Sequence, residues 1–201
     1  MPKVKIPRKS TAIDMTAMCD VAFLLLTFFI LTTKFRPQEV AQIDIPSSTA
    51  QIPIPDTDIM MFQIAPDGRI FFGLDDQNTR LKLLDRLSSQ YQLALSADQK
   101  DAFRTLELWG MDIRNLPEFL DMDPNARANL QQPGLVIDTT GGQHQVEDLI
   151  LFSRQENNKL RIAIKADKTT EYRNLDKLIN ALQNRKVNKF NFITSARAAK
   201  E

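Results

Sequence analysis

The chain contains little of what most enzyme sites are built from. Its 201 residues include one histidine, one cysteine and six glycines. A single histidine, His144, with scattered acids is a poor basis for a metal site or a catalytic triad. No glycine-rich phosphate loop follows a predicted strand. The sequence therefore predicts neither a bond-making enzyme nor a bound metal or cofactor.

Most of the chain also lacks cysteine and a net positive charge. Cys19 lies in an apolar run, so the part that follows has no disulfide and requires an ordinary hydrophobic core. From Pro37 to Glu201 there are 20 Lys and Arg residues against 23 Asp and Glu residues, a net charge of −3. A slightly acidic domain offers no basic surface for nucleic acid, so we expect no nucleic-acid partner.

One long apolar run is present, from Met15 to Thr33. At about 1.5 Å per residue, about 19 helical residues span roughly 28 Å of hydrocarbon. We therefore predict a membrane helix at 13–34. Basic residues are more numerous before the run than after it, so we predict that the preceding segment, 1–12, lies in the cytoplasm. No small-x-small cleavage site follows, so we expect an uncleaved anchor. The basic residues are Lys3, Lys5, Arg8 and Lys9 before the run, and Lys34 and Arg36 after it.

Asp20 is the one charged residue of this run. A charged side chain in a spanning helix costs about 2.5–3.5 kcal/mol on insertion scales, and such residues usually mark ion or proton pathways. A carboxyl group surrounded by hydrocarbon can bind and release a proton near neutral pH. We therefore predict that Asp20 carries protons. The structural alternative is that Asp20, roughly 8 Å from the cytoplasmic end, only reaches the lipid headgroups.

Two threonines share the helix face of Asp20. At about 100° per residue, Thr16, Asp20 and Thr27 fall within about 40° of one another. A polar stripe of this kind favours contact with another helix or a water-filled cavity, and hence a second copy of the chain or another protein. The alternative for each threonine is a hydrogen bond to its own helix backbone.

The residues from Ile13 to Thr33 resemble the D-[MV]-T-P-x-[VI]-D-V-x-F-L-L-L-x-F-F pattern of the ExbD/TolR family, with Ala17 where the family usually has proline. The stretch Ile43–Ser48 looks like the family's LP-x-S strand, and Ile162–Tyr172 is similar to its strand-ADKT-x-x-Y turn. The segment from about 75 to 143 has no recognised counterpart and is interpreted as an insertion.

This resemblance implies a small single-pass subunit of a proton-driven motor in the inner membrane of Gram-negative bacteria. Two copies would place their helices inside a pentamer of an ExbB-like polytopic protein, and Asp20 would carry protons alternately in the two copies. The periplasmic domain would transmit work to a TonB-like partner that energises outer-membrane transport. The alternatives are a TolR-like subunit for outer-membrane maintenance, a passive membrane-anchored binding module and an anchored hydrolase.

An extended, proline-rich segment at 35–58 follows the predicted helix. Its alternation of apolar and polar residues at Ile43–Ile45 suits a short strand that pairs with an open sheet edge. We therefore consider Ile43, Ile45 and Pro46 candidates for binding a partner. The alternative is a plain linker, which such runs usually are.

The remaining residues, 59–201, predict a two-layer α/β domain with a mixed sheet and helices on one face. Pro66-Asp67-Gly68 predicts a hairpin turn between two strands. The patterns predict helices at 79–95, from Ser96 to near Gly110, in two short pieces begun by Pro117 and Pro124, at 145–156 and at 174–184. Strands at 160–166 and 189–194 should be parallel neighbours. Met60, Met61 and Trp109 are expected in the core.

Overall fold

The computed structural model describes residues 15–33, 41, 43–48, 57–135, 137 and 144–196. The chain divides into two compact units, Met1–Pro37 and Gln38–Glu201. In the first unit, helix α1 covers Met15–Thr32, and its apolar side chains are exposed. Among the described residues, α1 is the one helix that is long and apolar enough to cross a membrane. The predicted apolar helix is therefore confirmed. The basic residues that flank it (Lys3, Lys5, Arg8, Lys9, Lys34 and Arg36) lie outside the described residues.

A four-stranded mixed sheet organises the second unit. Its strands are β2 (Ile59–Ile64), β3 (Ile70–Leu74), β4 (Arg161–Ala166) and β5 (Phe190–Phe192), in the spatial order β3-β2-β4-β5. Strand β2 pairs antiparallel with β3 and parallel with β4, and β4 pairs parallel with β5. The mixed sheet and the parallel pairing of the last two predicted strands are confirmed.

The turn between β2 and β3 forms because glycine occupies its one left-handed position. Gly68 has φ +85°, and a Cβ added there would lie 2.2 Å from Nδ2 of Asn174. Asp67 accepts a hydrogen bond from the amide of Arg69 at 3.1 Å, which closes the loop locally. Backbone conformation and packing both favour glycine here, so the Pro-Asp-Gly prediction is confirmed.

The middle of the chain is helical, as predicted. Ser96 caps α3 through a complete capping box, in which the Gln99 amide donates to Ser96 Oγ and the Gln99 side chain accepts the Ser96 amide. Helix α2 ends at Tyr91, where Gln92 adopts φ +55°, so the predicted end at residue 95 is too late. The helices are α2 (Gln77–Tyr91), α3 (Ala97–Thr105), α4 (Leu116–Asp121, after a 3-10 turn at Ile113–Asn115) and α5 (Pro124–Asn129).

The predicted end of α3 near Gly110 is wrong, because the chain becomes extended after Thr105. Trp109 exchanges two backbone hydrogen bonds with Phe72, at 2.8 and 2.9 Å, and so extends the sheet beyond β3. Gly110 passes so close to Phe71 that an added Cβ would lie 2.5 Å from its ring. A pairing with a strand over thirty residues earlier thus overrides local helix propensity.

The last part of the domain matches its predictions with small shifts at the ends. It comprises α6 (Gln145–Glu156), β4, α7 (Tyr172–Asn184) and β5. A separate two-stranded sheet joins β1 (Ser47–Ser48) in parallel to β6 (Ser195–Ala196). The segment before the domain is therefore paired with the segment after β5.

One large apolar cluster lies on the sheet face that carries Met60, Phe62 and Ile64, and helices α2, α3, α6 and α7 all contribute to it. The helices therefore cover this face, as predicted. Met60 and Trp109 are fully buried, whereas Met61, on the opposite face, is only half-buried. The segment 75–143 supplies much of the cluster: Leu83, Leu84, Leu87, Phe103, Trp109, Ile113, Leu116, Phe119, Leu120 and Leu135.

Asp76 is the N-cap of α2, and its replacement provides a test of local stability. Its carboxylate accepts hydrogen bonds from the amide of Thr79 at 2.8 Å and from the hydroxyl of Thr79 at 2.6 Å. The hydrogen bond from the Thr79 hydroxyl contributes most to holding the pKa of Asp76 below its ordinary value. The hydrogen bonds from the capping amides lower this pKa further. We expect Asp76→Ala to lower the free energy of unfolding by about 1 kcal/mol at neutral pH.

The pH dependence of this cap has a definite sign. Because the pKa of Asp76 is lowered in the folded state, its stabilisation is complete above the ordinary aspartate pKa and is lost as the pH falls through the folded value. Asp76→Asn keeps a capping oxygen but cannot titrate. Urea unfolding of the full chain at pH 7 and pH 3 should show a smaller loss for Asp76→Asn than for the wild type. An equal loss would contradict this assignment.

Candidate functional site: the apolar helix and the docked tether

Asp20 lies in the second turn of α1, and it is the one charged side chain among the eighteen residues of that helix. Its neighbours one turn away are Thr16 and Leu24, so the carboxylate interrupts a surface that is otherwise almost entirely apolar. The unbroken helix from Met15 to Thr32 places Thr16, Asp20 and Thr27 on one face, as their spacing predicts. The geometry thus presents one carboxylate, in the second turn of an otherwise largely apolar helix.

Thr27 hydrogen-bonds to its own helix. Its Oγ1 donates to the carbonyl oxygens of Phe23 at 3.0 Å and Leu24 at 2.9 Å. Thr32 and Thr33 make the same kind of bond, to Phe28 and Phe29. Thr27 therefore makes the hydrogen bond to its own helix backbone that the sequence left open as an alternative. Its hydroxyl does not need a partner helix as a hydrogen-bond acceptor.

We expect Thr27→Val to retain most of the activity of the chain. Valine keeps the shape of threonine and removes only the bond to Phe23 and Leu24, whose carbonyl oxygens keep their backbone bonds. Growth that depends on the chain, compared at equal protein level, should stay close to that of the wild type, because the lost bond adds only about 0.5–1.5 kcal/mol to the stability of the helix and reaches no other group. A complete loss of growth would assign Thr27 a direct role.

A second polar arrangement holds the segment 41–48, which we call the tether, to the folded domain. The buried amide of Gln63, in the central strand β2, donates from Nε2 to the carbonyl of Ala41 at 2.8 Å. The carboxylate of Asp167 accepts the amide of Asp44 at 2.6 Å, and the amide of Lys168 donates to the carbonyl of Asp44 at 2.9 Å. The Lys168 ammonium also forms an ion pair with the Asp44 carboxylate.

This arrangement corrects the prediction of a strand at Ile43–Ile45. Residues 43–46 are not in a strand, and β1 begins only at Ser47. The hydrogen bonds to Asp167 and Lys168 replace the strand pairing, because a turn rather than a strand edge faces the tether. Ile43, Ile45 and Pro46 are half-buried, and their role in binding a partner stays a prediction. The prolines Pro53 and Pro55, which follow the tether, lie outside the described residues.

Asp167 is rigidly placed by the turn that follows β4. One carboxylate oxygen accepts both the hydroxyl of Thr169 at 2.6 Å and its amide at 2.8 Å, while the other accepts the amide of Asp44. These bonds, first that of the Thr169 hydroxyl, hold the pKa of Asp167 below its ordinary value. The carboxylate is therefore ionised and oriented toward the tether at neutral pH.

Sequence reasoning missed this second arrangement. The run Ala166-Asp167-Lys168-Thr169 is read from sequence only as a family-like turn, although Asp followed two residues later by Thr is a common signal for a carboxylate that caps its own turn. Nothing in the local sequence indicates that Asp44, more than a hundred residues away, is the partner. Gln63 is easier to recognise as a functional position than Asp44. It is an amide in a predicted strand, and a buried amide requires a hydrogen-bond partner.

Among the described residues, His144, Asp75 and Asp76 lie near the starts of two different helices and do not come together in a reaction site. His144 Nδ1 lies 3.8 Å from Glu147 at the start of α6. Asp76 caps α2, and Asp75 accepts the amide of Ile59 at 2.9 Å, so both have structural partners. Within the part of the chain that the structure describes, no three His, Cys, Asp or Glu side chains come together in a way that could hold a metal ion.

Comparison with known proteins identifies the family. The model of the family described as "Biopolymer transport protein ExbD/TolR" matches residues 7–197, nearly the whole chain. No curated protein and no solved structure gives a significant match. Together with the apolar helix and the mixed α/β domain, this match indicates a membrane-anchored subunit that energises biopolymer transport with membrane-motor partners, in a family not known to contain enzymes. The chain therefore belongs to the ExbD/TolR family.

Proposed function

We propose that this chain is an ExbD-like subunit of a motor driven by proton motive force, and that Asp20 is the proton carrier. The observation that carries the proposal is one carboxylate in the second turn of an otherwise apolar helix of a family member. A membrane potential supplies about 2.3 kcal/mol per charge per 100 mV. A carboxylate that loads a proton on one side and releases it on the other can convert that energy into movement.

The proposal requires partners, because a single helix cannot by itself form a pathway for protons. The polar face of Thr16 and Asp20 is the surface that we expect to contact an ExbB-like polytopic protein, which the family resemblance gives as a pentamer. A second copy of this chain would supply the other carboxylate of an alternating pair. A TonB-like protein would receive the work from the folded domain and energise transport at the outer membrane.

We place the chain in the bacterial inner membrane, with residues 1–12 in the cytoplasm and a membrane helix at 13–34. Residues 35–58 form the connection to a periplasmic domain at 59–201, in which 75–143 is an insertion. Because this insertion supplies a large share of the core, it is an integral part of the domain. A TolR-like role in outer-membrane maintenance would use Asp20 in the same way and differ only in the protein that receives the work.

The experiment that tests the proposal is Asp20→Asn in cells of the source organism, combined with affinity purification of the complex. The proposal predicts that the polytopic partner still copurifies and that transport dependent on proton motive force is lost. If transport is retained with the complex intact, the carrier role is rejected and a passive binding module is favoured. In that case deletion of the folded domain, but not Asp20→Asn, would abolish activity.

A further inference from the structure

The small net charge of the folded domain conceals an uneven distribution along the chain. Residues 37–171 contain 13 Lys and Arg residues against 21 Asp and Glu residues. Residues 172–192, from the start of α7 to the end of β5, contain five against one. A basic stretch on an otherwise acidic domain attracts an anionic partner to one part of its surface.

Four of the five basic side chains in this stretch are exposed, and we call them the basic face: Arg173, Lys177, Lys186 and Lys189. Among the described residues, none pairs with these four side chains through a hydrogen bond or an ion pair. The fifth, Arg185, is different, because its guanidinium lies 3.2 Å from Glu147 and 3.3 Å from Asp148. The acid of the stretch, Asp176, is half-buried and accepts a hydrogen bond from Asn180 at 3.1 Å.

The basic face begins on the exposed side of α7. The apolar side of this helix, with Leu178 and Leu182, is buried, whereas Arg173 and Lys177 lie one turn apart in solvent. Lys186 and Lys189 follow in the segment between α7 and β5. The exposed side of a helix is convex, so it fits a flat anionic surface better than a small ligand, which requires a concave pocket.

Lys186 stands at a position where helices commonly have glycine. Its φ of +57° lies in the left-handed region, which a Cβ disfavours, and its amide donates to the carbonyl of Gln183 at 2.8 Å. Glycine would suit this backbone conformation better. The presence of lysine is therefore explained by its charged side chain rather than by the turn.

We propose that the basic face docks the folded domain on the anionic lipid headgroups of the membrane in which the chain is anchored. The chain belongs to a family of membrane-anchored subunits, so a lipid surface is present at a high effective concentration. Lys and Arg side chains are attracted to anionic lipid by charge. Tyr172, the first residue of α7, is 73% exposed next to Arg173, and tyrosine is favoured at the level of the headgroups.

The test is contact quenching of a fluorophore on the full chain in lipid nanodiscs. Gln183 is exposed on α7, and Gln183→Cys in a Cys19→Ser background accepts a single bimane label. Some of the lipids carry a nitroxide on the headgroup, which quenches the label only at close range. The proposal predicts quenching when about one lipid in three is phosphatidylglycerol, and little when all lipids are zwitterionic. Equal quenching in the two kinds of disc would overturn the proposal.

Gln90→Cys provides the matched label position, because Gln90 is an exposed glutamine on α2. Its label should stay unquenched in both kinds of disc. Salt at about 1 M, which shortens the Debye length to about 3 Å, should abolish the quenching at position 183. Equal quenching of the two labels would show that no particular face docks, and it would contradict the proposal.

Arg173→Gln combined with Lys177→Gln removes two charges from the basic face. Each Lys or Arg near an anionic surface changes the docking constant about fivefold, so this double variant should dock about 25-fold more weakly. Lys82→Gln combined with Arg104→Gln removes two exposed charges from α2 and α3 and should leave docking unchanged. The same loss in both double variants would reject the basic face as the docking surface.

Lys186→Gly separates docking from folding. Glycine suits a φ of +57°, so urea unfolding should show a stability no lower than that of the wild type, while docking weakens about fivefold. Lower stability with unchanged docking would contradict the proposal. Loss of quenching on addition of isolated cell-wall sacculi would assign the face to a wall polymer and overturn the choice of lipid.

The proposal depends on the membrane anchor and not on proton transfer by Asp20. Asp20→Asn should therefore show the same quenching as the wild type, so that failure of the carrier role and failure of lipid docking are distinguished by separate measurements.

Discussion

Replacing Asp20 with asparagine is expected to reduce proton-dependent function to the level of cells that lack the chain. Asparagine has the size and shape of aspartate, so helix packing is preserved, but its amide cannot bind and release a proton near neutral pH. Asp20 is the one ionisable carboxylate among the residues of α1, so no neighbour in that helix can replace it. The measurement is growth that depends on energised transport, at matched protein level.

Asp20→Glu is the control that distinguishes chemistry from shape. Glutamate restores a carboxylate but displaces it by one methylene, so we expect a measurable fraction of the activity to return. Thr27→Val, on the same helix face, should stay close to the wild type because its hydroxyl bonds only to its own backbone. If Asp20→Glu were as inactive as Asp20→Asn while Asp20→Ala retained activity, the side chain would not act as a carrier.

Replacing Trp109 with alanine is expected to lower the free energy of unfolding of the domain by about 3–5 kcal/mol, the usual cost of removing a large buried aromatic side chain. Trp109 is 1% exposed, and its ring makes edge contacts with Phe72 and Phe103 at centroid distances of 6.1 and 5.9 Å. A loss of this size approaches the whole stability of many domains. Pulse proteolysis of the full chain across a urea series measures it.

Tyr172→Ala provides the matched control, because it removes an aromatic ring that is 73% exposed. An exposed substitution usually changes stability by no more than about 0.5 kcal/mol. If Trp109→Ala were equally mild, then the segment from 75 to 143 would not share the core of the sheet, and the insertion would not be an integral part of the domain.

The elements that could be predicted from sequence are those whose cause is local. The hairpin depends on Gly68, which alone tolerates the left-handed turn, and α3 begins at Ser96 because a capping box is a contiguous signal. The stripe on α1 follows from helical periodicity alone. Asp20 is likewise identified by a local signal, because one acid within a long apolar run is visible in the sequence itself.

The elements that were missed depend on partners far away in the chain. The chain is extended rather than helical at Trp109, which pairs with Phe72, and β1 consists of the two residues Ser47–Ser48 that pair with Ser195–Ala196. The hydrogen bonds at Asp44 require a turn more than 120 residues later in the chain. Propensity and periodicity are properties of a short stretch of sequence. They do not indicate which distant residues will pair.

The most direct test of the central claim is proton uptake by sealed liposomes that contain the purified complex, recorded with an internal pH-sensitive dye under an imposed potential. The account predicts potential-dependent acidification for the wild type and Thr27→Val, and only the leak of empty liposomes for Asp20→Asn. Equal acidification by the wild type and Asp20→Asn would show that protons move without this carboxylate, and it would contradict the account.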